Sequence, residues 1–135
     1  MKAQIVPMLA VSDGNAAIDF YKKAFGAELL WRVDGGGQVV AGMSIGDANF
    51  FFAHESPEYG TRAPVSAGFT TVRIELFVDD PHAVQKQALA AGATERGQVV
   101  EHTYEMSGPK PIPRMLQGSV FDPFGHMWLI GKILD

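Results

Sequence analysis

The chain has 135 residues, 47% of them hydrophobic: the length of one ordinary domain, with enough apolar material for a buried core. A formal net charge of -4, with 11 Lys and Arg and no basic run, excludes a nucleic-acid surface, which needs clustered positive charge to displace counterions. The absence of cysteine rules out disulfide frameworks, thiolate metal sites and cysteine nucleophiles. No stretch approaches the ~20 apolar residues of a membrane span and residues 1–15 lack a signal-peptide pattern, so a cytoplasmic protein is expected.

In chain order, QIVPMLAV (residues 4–11) alternates Gln4, Val6 and Met8 against Ile5, Pro7 and Leu9 and predicts a strand. Asp13 can then cap a helix in which Ala17, Tyr21, Ala24 and Phe25 recur at helical spacing, and Gly26 can end it in a left-handed conformation. Three strand candidates follow, at about 28–34, 38–46 and 48–54. ESPEYGTRAPVSAG, residues 55–68, reads as a linker. The pattern then starts again. TTVRIELFV alternates Thr71, Arg73, Glu75 and Phe77 against Val72, Ile74, Leu76 and Val78; Asp80 caps a second helix, Pro81 takes its first position and Gly92 stops it. Strands are expected near 95–101, 114–121 and 126–133, interrupted by the irregular HTYEMSGPKPIPR. The plan is βαβββ twice, an α+β fold made of modules at about 1–54 and 69–135 within a single domain.

The segments AIDFYKKAFGAE, ELFVDDPHAV, AAGAT and DPFGHMW resemble the vicinal oxygen chelate superfamily of glyoxalases, bleomycin-resistance proteins and dioxygenases, and within it the PhnB-like glyoxalase-like branch. The resemblance covers nearly the whole chain. It implies curled mixed sheets round a cup, helices outside, a small-molecule ligand within, and a homodimer, since relatives often complete their cups between two chains. The superfamily's metal enzymes ligate one ion from the first and last strands of each module. Carried over, those positions fall at Val6, Phe51, Arg73 and Leu129, none of which suits a divalent cation. A strand shift would put Glu75 there instead, with Gln4 as its evident partner. The resemblance therefore implies a binding protein with neither metal nor other cofactor, or an enzyme of unknown reaction that has lost its metal site. The alternatives are a metal-dependent lyase, isomerase or dioxygenase, and a structural module with a filled cup.

Strand parity selects the candidate ligand-binding residues. With the apolar set of residues 71–78 facing its helix, Arg73, Glu75 and Phe77 face the cup, and Gln4, Val6 and Met8 do so on the first strand. Phe51 and Leu129 complete a lining of apolar walls with one Arg and one Glu, suited to an amphipathic organic molecule. An internal Arg73–Glu75 ion pair in a filled cup is the other reading. Phe50-Phe51-Phe52 could be a stacking platform, but reads more readily as a core strand covered on both faces. Trp31 could reach the cup or the outer edge. In DPFGHMW, Asp122 to Gly125 reads as a turn and His126 as its hydrogen-bonded flank, on the face opposite Leu129. Residues 102–114 could form a lid, a plain solvent loop or a dimer contact.

Overall fold

The computed structural model describes residues 1–135. The elements are β1 (Met8–Val11), α1 (Gly14–Phe25), β2 (Glu28–Gly35), β3 (Gln38–Ile45), β4 (Ala48–His54), a 3-10 turn (Pro57–Tyr59), α2 (Pro64–Ala67), β5 (Arg73–Phe77), α3 (Pro81–Ala91), β6 (Thr94–Thr103), β7 (Arg114–Phe121) and β8 (Met127–Ile133). They build two four-stranded mixed sheets, ordered β1-β4-β3-β2 and β5-β8-β7-β6. In each sheet the first strand runs parallel to the last, and the other pairs are antiparallel. This is the βαβββ plan made twice.

The punctuation falls where the local chemistry requires it. Asp13 Oδ1 accepts the Ala16 amide at 3.0 Å and Asp80 Oδ1 the Ala83 amide at 3.1 Å, each satisfying a donor that the first helical turn leaves free. Gly26 closes α1 at φ 65°, a conformation that a Cβ would strain. The first strand is shorter than its alternation predicts. Pairing with β4 begins at Met8↔Phe51, preceded by a single bond from the Phe51 amide to the Pro7 carbonyl, and residues 4–7 have no ladder. Alternation reports an extended segment, but a strand also needs a partner along its length.

The helix-facing sides of both sheets share one core. Leu9, Val11, Phe50 and Phe52 from the first sheet and Leu76, Val120, Trp128 and Ile130 from the second belong to a single cluster around Tyr21 and Ala88. The Phe50 and Trp128 rings lie 5.7 Å apart, so the modules touch through their aromatic side chains. Asp122 joins them further. Its Oδ2 accepts Tyr21 Oη at 2.6 Å and Trp128 Nε1 at 2.9 Å, and its Oδ1 accepts the amides of Phe124 and His126. His126 Nε2 lies 2.7 Å from the Ala10 carbonyl of β1, so this histidine flanks the turn and ties it to the other module.

Because the core lies between the helix-facing sides, the opposite face of each sheet turns outward and stays open. The chain exposes 8342 Å², whereas a globular monomer of 14.6 kDa exposes about 6,900 Å². The excess includes Met8, Trp31, Val33 and Phe77.

Candidate functional site

On the open face of the first sheet, β3 contributes Gly42, whose neighbours in register are Trp31 on β2 and Phe51 on β4. With no side chain on Gly42, the indole of Trp31 lies over its backbone; a Cβ there would stand 2.5 Å from Cε2 and 2.9 Å from Cζ2. The Trp31 and Phe51 rings meet edge to face, centroids 5.0 Å apart at 68°. Phe51 is paired in turn with Met8. This face is an aromatic platform of Trp31, Phe51 and Met8. A bulge between Leu29 and Trp31 sets the parity that brings Trp31 to it. Phe50 and Phe52 are core residues, but Phe51 is only half-buried, so β4 is not covered on both faces as its sequence suggests.

The open face of the second sheet has different chemistry. Arg73, Glu75 and Phe77 project from β5, while Ile74 and Leu76 turn to the core, as parity predicts. The chain's three salt bridges are Lys23–Asp19, Arg32–Asp34 and Arg114–Glu101, so Arg73 and Glu75 do not neutralise each other. Across the sheet, Glu75 is in register with Leu129 on β8, Leu129 with Ser119 on β7, and Ser119 with Gly97 on β6. Leu129, Ser119, Gln117, His102 and Arg96 line a pocket of about 390 Å³.

The sequence-predicted residues are distributed among these surfaces. Gln4, Val6 and Glu75 line one cleft of about 490 Å³ between the modules. Met8 borders a second groove, beside the linker, and Leu129 floors the pocket on the second sheet. Phe51 stands on the first sheet's open face; Arg73 and Phe77 stand on the second's. Within one chain no cavity gathers the whole set. The linker is anchored by Glu55, which accepts the Ala63 amide at 3.0 Å and Ser66 Oγ at 2.8 Å; these bonds hold its carboxyl below the usual range. In the 102–114 segment, Tyr104 and Met106 remain exposed.

In register, Met8 pairs with Phe51 on the first sheet and Glu75 with Leu129 on the second, and Val6 and Arg73 stand two residues from those pairs. The two pairs offer one carboxylate, one thioether and two hydrocarbon side chains, which do not fit a divalent cation. No three His, Asp or Glu side chains converge elsewhere in the chain.

Similarity to known proteins bears on this arrangement. An uncharacterised protein of Mycobacterium bovis is 37% identical over 131 residues, spanning 93% of this chain and 80% of its own. The crystal structure of TioX from Micromonospora sp. ML1 matches with a TM-score of 0.67 at 23% identity, over 98% of both chains. A glyoxalase-related enzyme from Fulvimarina pelagi matches with a TM-score of 0.68 at 18% identity, over 98% of this chain and 88% of that one. At those identities the two structures speak for the fold. The profile of the Glyoxalase/Bleomycin resistance protein/Dioxygenase superfamily matches residues 4–130. With its two βαβββ modules and open sheets, the chain belongs to that superfamily.

Proposed function

We propose that this chain binds a small organic molecule in a cup completed by a second copy, without a metal ion. The observation that carries the reading is the pair of open faces, one aromatic and one polar, both turned away from the core that their own chain provides. Closing the aromatic face of one copy over the polar face of another yields two cups per homodimer. Each cup then has apolar walls from Trp31, Phe51 and Met8 and orienting groups from Arg73 and Glu75, a combination that suits an amphipathic ligand. The surface in excess of a monomer's, about 1,400 Å², exceeds the roughly 800 Å² per partner of a standard interface.

The motifs AIDFYKKAFGAE and DPFGHMW support a place in the PhnB-like branch, and a cytoplasmic location belongs to the same reading. A metal-assisted lyase or isomerase of the superfamily is the rival. Its best support is that Glu75 and Gln4 border one cleft. Two measurements separate these readings: light scattering at micromolar concentration is expected to give the mass of a dimer, and metal analysis of protein purified without added metal well under one equivalent. A chelator-resistant stoichiometric ion would establish the rival, and a clean monomer would remove the shared cup.

A further inference from the structure

We propose that Arg96, Ser119 and Gln117 form an anion-recognising subsite on the second sheet, and that the ligand class is an organic carboxylate with an apolar, ring-bearing body. The inference deepens the cup reading and rests on it for the body of the ligand.

The subsite is built by an irregularity in β6. The register runs Glu95↔Val120 and then Gly97↔Ser119, leaving Arg96 as an extra, unpaired residue, and a second shift follows before Val100↔Gln117. A bulge bends its strand and redirects the side chain it carries. Here Arg96 comes to rest over Ser119, with Nη1 3.4 Å from Oγ. That long contact is the only hydrogen bond of the guanidinium, and no carboxylate pairs with it. Its planar fork is free to meet two oxygens at once.

The neighbouring groups are donors in the same condition. Ser119 is buried, and its Oγ accepts from Arg96, which leaves the hydroxyl proton to give. The Gln117 amide donates only to Met115 Sδ, at 3.5 Å, a weak acceptor that an oxyanion would displace. None of the nine residues lining the pocket is acidic, and Leu129 gives it an apolar floor. Glu75 stands beyond Leu129, two strands from Ser119, roughly 10 Å away. Its negative charge directs an anionic group to the Arg96 end. The apolar body of the ligand then lies against the Trp31–Phe51 platform of the second copy.

The test uses the full-length protein, with 2-naphthoate as probe and 2-naphthamide as its neutral counterpart. Affinity is read by calorimetry and by quenching of tryptophan emission; Trp31 is 38% exposed and Trp128 only 2%, so the quenching reports on Trp31. Wild type should bind the carboxylate roughly ten- to a hundredfold more tightly than the amide, the range of hydrogen bonds to a charged group. Arg96→Gln should abolish that preference by weakening the carboxylate far more than the amide, at an unaltered melting temperature because Arg96 is exposed. Arg73→Gln alters an orienting group of the cup outside the subsite, so it should keep the ratio of carboxylate to amide affinity even where both affinities fall. Equal binding of both probes to wild type, or a preference that follows Arg73 instead, would overturn the subsite while the cup stands. Binding of neither probe would overturn the cup, and the subsite with it.

Discussion

Removing the Asp122 carboxylate should be among the most damaging single changes in this chain, because four donors converge on it. Asp122→Ala strips the acceptor from Tyr21 Oη, from Trp128 Nε1 and from the amides of Phe124 and His126. Tyr21 and Trp128 are almost wholly buried, so water does not readily replace the lost oxygen. A stranded buried donor costs about 1–3 kcal/mol, and partial relaxation reduces the sum to the ~3–5 kcal/mol typical of a broken buried network. We expect a loss of about 4 kcal/mol, against a total stability of roughly 5–15 kcal/mol. The corresponding fall in melting temperature is roughly 14 °C for a chain of this size. Tyr21→Phe, which removes donor and bond together, should cost only about 1 kcal/mol. Made in the Asp122→Ala background, the same change should cost nothing, since its partner is already gone. Urea denaturation at pH 7 and one fixed protein concentration measures all of these, the concentration being held because dimerisation would enter the apparent stability. A loss below about 1 kcal/mol for Asp122→Ala, or additive effects of the two changes, would refute the account of Asp122 as the tie between the modules.

Gly42→Ala should lift the Trp31 indole off β3, since the new methyl would occupy its place; the expected result is altered Trp31 emission and at least tenfold weaker binding of 2-naphthamide by a protein that remains folded, and unchanged emission would contradict the platform. Burial first, and then the neighbouring Asp122 carboxylate, hold the Tyr21 phenol well above its ordinary value. The folded state therefore favours the protonated phenol, and its contribution is full below pH about 10, declining above that and lost once pH passes the folded value. Tyrosinate absorbance followed through an alkaline titration should show one tyrosine ionising together with unfolding, a step that Tyr21→Phe removes.

The repeat was legible because its punctuation is local. Asp13 and Asp80, Gly26 and Pro81 act within a turn of their own positions, and sequence reports such effects directly. Parity was equally readable on β5, where one apolar set must face the helix and Arg73 and Glu75 must face away. It failed where a bulge resets it. Nothing in ATERGQVV announces that Arg96 is an extra residue, so the donor-rich pocket of β6 and β7 is not legible in the sequence. Asp122 read correctly as a turn residue, but its partner Tyr21 lies 101 positions away and only the packed modules reveal the bond. Parity also says which face a residue takes without saying where that face looks. Parity gives Gln4, Val6, Met8, Phe51, Arg73, Glu75, Phe77 and Leu129 one facing; within one chain they are spread over separate surfaces because the modules share a core.

A mixed-dimer experiment tests the central claim most directly. One variant carries Trp31→Ala and Phe51→Ala on the first sheet; the other carries Arg73→Ala and Arg96→Gln on the second. Each alone should fold, dimerise and bind 2-naphthoate at least tenfold more weakly than wild type, because every cup in its homodimer contains a damaged face. Unfolded and refolded together, they form mixed dimers in which one cup joins two damaged faces and the other two intact ones. The account predicts that binding returns, at one site per mixed dimer and with wild-type affinity. A mixture that forms mixed dimers and still binds only as weakly as either variant would contradict it, and would mean that each chain makes its site from its own two sheets.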